Sequence, residues 1–269
     1  MKLKIAILGA GNLAWNLAPA LEDAGHELTE VYARDIRKAE EITERVYNAV
    51  PKDDLDFSES KAELFILAIK DDALAEVADQ LILPEGSILV HTSGAMPMEV
   101  LAQSSASYIG VFYPLQSFTK GKKVDFEEVP FLLESEDEGT LQLLKKVAKS
   151  LSPLVHTLRH KEREAVHVAA VFASNFTNHM LRIAEEILHR QGLDRELLKP
   201  LIIESISKSL QLGAKKAQTG PAIREDYETL EAHHDFLGYN EQLAEIYRLI
   251  SQDIIDSWLL LGESSIEFQ

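Results

Sequence analysis

Apolar runs and amphipathic segments alternate through the first half of the chain. Residues 3–8 form an apolar run typical of a buried strand, and residues 13–24 have the apolar spacing of a helix that ends at Gly25. Residues 28–33 form a second strand-like run. The same alternation continues, with strands predicted at residues 64–69, 87–91, 108–111, 131–133 and 154–157 and helices at residues 35–45, 71–81 and 138–151. This order predicts a parallel sheet covered by helices.

Beyond residue 160 the apolar spacing is helical throughout. We expect a long helix over residues 161–191, a second over 194–212 and a last one over 240–261. The predicted fold class is therefore α/β, a doubly wound parallel sheet followed by an all-helical C-terminal domain. We place the boundary between residues 1–157 and residues 158–269.

Composition indicates a packed globular protein, with 46% hydrophobic and 26% charged residues. The 27 basic and 44 acidic side chains give a formal net charge of −17, which repels a nucleic-acid backbone. Cysteine is absent, so disulfides, thiolate nucleophiles and cysteine metal ligands are excluded. The longest apolar runs fall short of the roughly 20 residues that span a bilayer, and glycines interrupt the N-terminal run. We expect a cytoplasmic protein that binds neither nucleic acid nor membrane.

A glycine-rich turn follows the first predicted strand, where the stretch GAGNLA begins at Gly9. In this G-x-G-x-x-A pattern Gly9 allows a tight turn, Gly11 lets the backbone approach a pyrophosphate, and Ala14 lets helix and strand pack closely. The N-terminus of the helix, with Asn12 and Leu13, then faces the anion. The pattern stands within a predicted β-α-β unit, which favours a Rossmann-type dinucleotide site. The alternative is a tight turn without a ligand.

The end of the second predicted strand distinguishes the two nicotinamide cofactors. An acidic residue there binds the ribose 2′-hydroxyl, whereas a cation accommodates a 2′-phosphate. Arg34 occupies this position, with Arg37 and Lys38 close behind it. We therefore expect NADP, with NAD as the alternative, because Asp35 would repel a 2′-phosphate if it turned towards the ribose. Asp35 could instead cap the following helix.

Three further residues lie where the next strands end. Ile69 ends one predicted strand, and Thr92 and Ser93 follow another. Open α/β sheets bind ligands at the carboxyl ends of their strands. We therefore place Ile69, Thr92 and Ser93 near the nicotinamide ribose of a bound cofactor; the alternative is that the two hydroxyls only form a turn and a cap.

Residues 165–181 contain no Asp, Glu, Lys or Arg. A solvated helix would carry charges, so we expect this helix to be buried on nearly all sides, against the sheet, other helices or a second subunit. At about 100° per residue, Arg163, His167 and Ser174 share one face, with Asn175 beside them. His167 is the predicted acid/base, since an imidazole exchanges protons near neutral pH. Ser174 and Asn175 would orient substrate or nicotinamide; the alternative is a hydrogen-bonded structural seam.

Arg224 lies in a predicted turn between later helices, where its guanidinium could bind a substrate carboxylate through two hydrogen bonds. His233, His234 and Asp235 follow it in the chain. Neighbouring residues of a helix point about 100° apart, so one metal ion could not easily take both histidines. We therefore expect no metal site.

Three stretches resemble a known bacterial family: GVFYPLQSF over residues 110–118, AAVFASNF over 169–176 and TGP over 219–221. That family pairs a Rossmann-like domain with a helical C-terminal domain of unknown function, and its members are labelled candidate NADP oxidoreductases. It belongs with enzymes similar to 6-phosphogluconate dehydrogenase and pyrroline-5-carboxylate reductase. The resemblance spans nearly the whole chain. It implies a homodimer of two-domain subunits, with the nicotinamide between the sheet and the long helix.

The chain departs from related enzymes at two positions. Hydroxyacid dehydrogenases of the wider superfamily carry a catalytic lysine one helical turn before an asparagine, but here Val171 precedes Asn175. The family resembled has a histidine where Tyr113 stands, and a phenol with an ordinary pKa near 10 is a poorer base at neutral pH. The substrates of those enzymes are therefore not carried over to this chain.

Taken together, these patterns predict an NADP-dependent oxidoreductase. It would transfer hydride between the nicotinamide and a small carbonyl, imine or alcohol metabolite, with His167 moving the proton and Arg224 anchoring a carboxylate. The alternative is a non-catalytic sensor or partner-binding protein that binds NADP(H), which the missing lysine favours.

Overall fold

The structure, a computed structural model, describes residues 2–264. The chain divides into two compact units, Met1–Met180 and Leu181–Gln269. The first unit contains the sheet. The boundary that we placed after residue 157 coincides with the end of the last strand, whereas the first compact unit continues to Met180.

Within residues 2–264, eight strands form one sheet in the order β3-β2-β1-β4-β5-β6-β7-β8. Neighbouring strands are parallel except for the antiparallel pair β6 and β7. The chain runs outward from β1 in one direction and from β4 in the other, so the topological switch point lies between β1 and β4. The strands are β1 Lys4–Leu8, β2 Glu27–Tyr32, β3 Val50–Lys52, β4 Leu64–Leu67, β5 Ile88–His91, β6 Tyr108–Pro114, β7 Phe131–Glu134 and β8 Val155–Thr157.

Both faces of the central strands β1, β4 and β5 are buried, which explains the apolar runs in the sequence. In β1, Ile5 and Ile7 belong to one core cluster and Ala6 and Leu8 to the other, because alternate residues of a strand point to opposite faces. Helices α1, α2 and α4 pack into the first cluster, and α3 packs into the second. These helices are α1 Asn12–Asp23, α2 Ile36–Thr43, α3 Leu74–Gln80 and α4 Glu138–Leu151. The predicted doubly wound α/β fold is confirmed.

Two features of the sheet differ from the prediction. The edge strand β3 has only three residues, one of them Pro51, so it carries little strand signal. The strand β7 reverses direction, because the connection from β6 contains a three-residue 3₁₀ helix, Phe126–Glu128, in place of a crossover helix.

The long helix predicted over residues 161–191 is present, but it contains a wider turn. It consists of α5 His160–Ala170, a π-helical segment Val171–Phe176 and α6 Thr177–Arg190. In a π-helix the hydrogen bonds run from i to i+5, so each residue advances by less than the about 100° of an α-helix. The predicted alignment of His167 with Ser174 assumed regular α-helical rotation, which this segment does not keep.

The second unit, from Leu181 onward, is helical over its described residues. The helices predicted over residues 194–212 and 240–261 are observed as α7 Lys199–Leu212 and α10 Glu241–Ser264, and a 3₁₀ turn, Arg195–Leu198, precedes α7. Every helix within residues 2–264 is too short or too polar to cross a lipid bilayer. Between α7 and α10 lie the helices α8 Ala214–Ala217 and α9 Tyr227–Phe236.

Candidate active site

The tight turn after β1 requires glycine at its first position. Gly9 has a φ of +128°, and a Cβ built there would lie 2.1 Å from the carbonyl oxygen of Ala68. The amide of Gly9 donates to the carbonyl of Tyr32 at 2.8 Å. Gly9 therefore lets the end of β1 pass directly against the end of β4.

Gly11 stands in the opposite situation, because a Cβ at this position would meet no atom within 4 Å. Gly11 is exposed and precedes α1, whose first residues are Asn12 and Leu13. Ala14 is fully buried and lets the helix pack on the sheet. The backbone at Gly11, just before α1, is thus exposed and uncrowded, which fits the approach of an anionic pyrophosphate.

Two charged side chains follow β2: Asp35, whose carboxylate is paired with Arg37, and Arg34, which has no ion-pair partner within residues 2–264. Asp35 caps α2: its side chain accepts from the amide of Arg37 at 3.3 Å and receives two bonds of 3.0 Å from the Arg37 guanidinium. The Arg37 guanidinium holds the pKa of Asp35 below its ordinary value. Asp35 therefore caps α2, which the sequence analysis gave as the alternative to a position facing the ribose. Arg34 is exposed and forms no ion pair with any residue of the described range 2–264.

The hydroxyl groups after β5 are engaged with the protein. Thr92 donates to the carbonyl of Leu67 at 2.9 Å. Ser93 donates to the carboxylate of Asp71 at 2.9 Å and accepts from two backbone amides of the following turn. These bonds stabilise the turn after β5, which is the structural role that the sequence analysis gave as the alternative for Thr92 and Ser93. Ile69 follows β4 beside the glycine turn, since its Cγ2 lies 3.1 Å from a Cβ built at Gly9.

A tyrosine–histidine pair lies near the carboxyl ends of β5 and β6. The phenol oxygen of Tyr113 in β6 lies 3.2 Å from Nδ1 of His167 in α5. Gly94 lies against both rings, because a Cβ there would come 2.5 Å from Nδ1 of His167 and 2.8 Å from Cε1 of Tyr113. Burial raises the pKa of the Tyr113 phenol, and the negative charge of Asp71 acts in the same direction. The pair is therefore a histidine ring held by a phenol that keeps its proton.

The carboxyl edge of the sheet brings these groups together. The turn Gly9–Gly11, Ile69, Gly94 and Tyr113 lie at the carboxyl ends of β1, β4, β5 and β6, which are parallel neighbours. Sequence reasoning considered Tyr113 only as a phenol in place of a histidine, did not pair it with His167, and gave Gly94 no role. Both occur at the ends of predicted strands, which was the available signal.

The other predicted residues of the long helix are exposed. Ser174 and Asn175 lie in the π-helical segment with their side chains accessible, and the rings of Phe172 and Phe176 are 64% and 47% exposed. The expectation that this helix is buried on nearly all sides is therefore wrong for the single chain. The sequence analysis named the sheet, other helices or a second subunit as the surface that would cover this helix. Within the single chain the two rings stay exposed.

Arg224 lies in the second unit, at the end of a 3₁₀ turn formed by Ala222–Arg224. Its side chain is 62% exposed, and one guanidinium nitrogen lies 4.0 Å from the carboxylate of Asp226. His233 lies on α9, where its Nδ1 is 2.8 Å from the hydroxyl of Tyr247. Among the residues described, no three His, Asp or Glu side chains form a metal-binding group.

The fold and the glycine turn define the class of Rossmann-like proteins with a helical C-terminal region. Residues 1–109 match the model of a Rossmann-like domain, and residues 129–254 match that of a domain of unknown function (DUF2520). The chain belongs to the family that joins these two domains, which confirms the resemblance seen in the sequence.

Solved structures support this assignment. A Bacteroides fragilis protein described as a candidate NADP oxidoreductase is 37% identical, with 95% of this chain and 98% of that chain covered and a TM-score of 0.86. At 15% identity, the Plasmodium falciparum pyrroline carboxylate reductase with NADP bound has a TM-score of 0.57 and coverages of 94% and 98%. An imine reductase of Myxococcus stipitatus in complex with NADP⁺ is 13% identical and has a TM-score of 0.65, with 97% of this chain and 94% of that chain covered. At these identities the last two structures show the fold alone. No protein of curated function matches the sequence.

Proposed function

We propose that the protein is an NADP-dependent oxidoreductase that transfers hydride between the nicotinamide and a small carbonyl, imine or alcohol metabolite. One observation carries the proposal: an open glycine turn and a tyrosine–histidine pair lie at the carboxyl ends of parallel strands in the same sheet. This is the edge where open α/β sheets bind ligands. In the proposal residues 1–157 bind the dinucleotide, and residues 158–269 serve the substrate and a second subunit.

The cofactor would be held mainly by backbone. Gly9 and Gly11 keep the turn free of side chains, and the amides at Asn12 and Leu13 begin a helix whose positive end favours the pyrophosphate. Arg34 is free to bind a 2′-phosphate, because the neighbouring acid is paired elsewhere. When bound, NADP(H) accepts or supplies the hydride. The related protein of Bacteroides fragilis is described as a candidate NADP oxidoreductase, which supports NADP over NAD.

The proton would be moved by His167. The bond between Nδ1 of His167 and the Tyr113 hydroxyl fixes the orientation of the ring. The phenol keeps its own proton at neutral pH, because its ordinary pKa is near 10 and burial raises it further. The second ring nitrogen, Nε2, is then the atom that gives a proton to the substrate or takes one from it.

The remaining polar residues would act on the substrate. Ser174 and Asn175 present an accessible hydroxyl and amide, which can orient a substrate carbonyl or the nicotinamide amide. The ribose would lie near Ile69 and the backbone of Thr92 and Ser93, since the two hydroxyls already have protein partners. In the second unit by itself, Arg224 keeps an exposed guanidinium that can bind a carboxylate.

The biological unit in this proposal is a homodimer. The charge-free stretch of residues 165–181 carries exposed apolar side chains at four-residue intervals, namely Val168, Phe172, Phe176 and Met180. Contiguous apolar surface of this kind marks interaction sites.

The proposal is tested by hydride transfer. Calorimetric titration with NADPH is expected to show binding, and stereospecific exchange of the C4 hydrogen with a panel of small carbonyl, imine and alcohol compounds is expected to show turnover. His167→Ala should lower the rate of that transfer, whereas His179→Ala, at an exposed position of the same long helix, should leave it unchanged. Hydride transfer that is unchanged in His167→Ala across pH would remove the acid/base role.

The second candidate is a non-catalytic NADP(H) sensor. It is favoured by Val171, which stands where related dehydrogenases carry a catalytic lysine. Tight dinucleotide binding without any exchange of the C4 hydrogen would select this function.

A further inference from the structure

We propose that Arg163 is the positioning residue that fixes the rotation of α5 and so holds His167 in place against Tyr113. This inference rests on the role proposed for His167. Arg163 precedes His167 by four residues, so the two side chains share one face of the helix.

Arg163 is a charged side chain with no exposed surface. Its guanidinium donates to the carboxylate of Glu134 and to the carbonyl of Met96, and Nη2 lies 3.3 Å from Nδ1 of His160. A buried cation is stable only while such partners stay in place, because loss of a partner leaves an uncompensated charge. The contacts of Arg163 are therefore strongly maintained.

The helix is attached to the sheet at two places through one carboxylate. Glu134 ends β7; one of its oxygens receives Arg163, and the other accepts from the amide of His160 at 3.0 Å. His160 is the first residue of α5, and Arg163 lies nearly one turn further on. Two attachments separated along the axis fix both the position of the helix and its rotation.

The same guanidinium also holds the loop on which His167 rests. Met96 stands two residues after Gly94, and its carbonyl is bound by Arg163. Gly94 contacts the ring of His167 so closely that a Cβ there would come within 2.5 Å. Because there is no spare space on that side, a small rotation of α5 would change the 3.2 Å distance between His167 and Tyr113.

The test uses the full-length chain labelled with ¹⁵N-histidine, and its readout is the Nδ1 signal of His167. The signal is assigned by its loss in His167→Gln, and Tyr113→Phe defines its position without the phenol bond. Arg163→Lys keeps the charge but lacks the planar fork that reaches two acceptors. We expect it to move the Nδ1 signal towards the Tyr113→Phe position although Tyr113 is present. Lys161→Met removes an exposed cation from the same helix and should leave the signal unchanged.

A second variant keeps the test decisive if Arg163→Lys fails to fold. Glu134→Asp retains the carboxylate but shortens it, and the same displacement of the His167 signal is expected. A folded Arg163→Lys or Glu134→Asp protein with the wild-type signal would overturn the proposal, since Arg163 would then serve stability alone.

Turnover provides the second readout. With a substrate in hand, Arg163→Lys should lower kcat about 100-fold, as expected for a misplaced catalytic group, while the Kd for NADPH stays within about twofold. An unchanged kcat with a displaced His167 signal would contradict the acid/base role of His167 but leave the positional effect of Arg163 intact. The two proposals therefore fail in distinguishable ways.

Discussion

Gly94 lies so close to His167 that a Cβ at position 94 would come 2.5 Å from Nδ1 and 2.8 Å from Cγ of the ring. Glycine is therefore required at this position by space rather than by backbone conformation, since no left-handed φ is found there. The contact links the loop after β5 to the helix that carries the proposed acid/base group.

Gly94→Ala should displace the imidazole and break its bond to Tyr113. We expect the rate of hydride transfer to fall about 100-fold, because misplacement by about 1 Å has effects of that size. The measurement is single-turnover oxidation of NADPH. Gly238→Ala, where a Cβ meets no atom within 4 Å, is the control and should retain full activity. An active Gly94→Ala protein would show that the ring position is unimportant.

The two glycines of the turn should respond differently to alanine. Gly9→Ala forces a left-handed φ on alanine and a clash with Ala68, so we expect a loss of about 3 kcal/mol or more in the free energy of unfolding. Gly11→Ala meets open space and should leave the urea midpoint unchanged while weakening NADPH binding at least tenfold. Urea unfolding of both variants measures the effect on stability, and calorimetric titration of Gly11→Ala with NADPH measures the effect on binding. Wild-type affinity in Gly11→Ala would place the cofactor elsewhere.

Arg34→Glu should reverse the cofactor preference. A charge-assisted hydrogen bond contributes about 1.5–3 kcal/mol, so NADPH affinity is expected to fall about ten- to a hundredfold. NADH affinity should stay the same or rise. Titration of both cofactors against Arg34→Glu and Lys38→Glu, an exposed cation one turn on, separates a local contact from general charge. An equal loss in both variants would remove Arg34 from its role.

His91 should make the protein sensitive to acid. It is fully buried, and desolvation, with the charge of Arg163, lowers its pKa from 6.5 to about 4. The unfolded chain therefore binds a proton between about pH 6.5 and pH 4 that the folded chain does not. Stability should fall across this interval as pH decreases, by on the order of 3 kcal/mol in total.

Urea unfolding at a series of pH values measures this dependence. His91→Asn keeps an acceptor for the amide of Ser93, which His91 binds through Nδ1 at 3.1 Å, but it does not titrate. We expect a flatter profile between pH 4 and 6.5 for His91→Asn, and the wild-type profile for the exposed control His156→Asn. If His91→Asn retained the wild-type slope, the acid sensitivity would come from other groups.

Replacing both exposed rings of the long helix should weaken self-association. The rings of Phe172 and Phe176 pack edge to face with centroids 4.9 Å apart, so they form one apolar surface. Burial of a phenylalanine contributes about 1.5–3 kcal/mol, so Phe172→Ser with Phe176→Ser should weaken a dimer at least about a hundredfold. Sedimentation equilibrium provides the measurement. Tyr47→Ser, at an aromatic residue that is 92% exposed, is the control. A wild-type chain that is monomeric at all concentrations would exclude the homodimer.

The sheet could be predicted because its signals are local. Buried parallel strands need continuous apolar runs, and the turn after β1 needs the glycine at position 9, so both appear in the order of residues. The short edge strand β3 and the reversal at β7 depend on neighbours distant in the chain, and no local pattern specifies them.

The candidate site was only partly predictable for the same reason. His167 stood out as a histidine in a charge-free stretch, but its partner Tyr113 is 54 residues away in the chain and Arg163 meets Glu134 across 29 residues. Ser174 was placed on the face of His167 by assuming regular helical rotation, which the π-helical segment interrupts. A change of helix type depends on how the surrounding chain packs, so the spacing of residues did not reveal it.

The amino-acid sequence by itself determined the α/β class, the glycine turn and the cation at Arg34, because each of these follows from the conformational or charge requirements of a few consecutive residues. Only the tertiary structure decided that Asp35 pairs with Arg37, that Thr92 and Ser93 bond to the protein, and that Tyr113, Gly94 and His167 meet. Contacts of this kind arise when folding brings strand ends and helix faces together, and their energies depend on distances that sequence order does not contain.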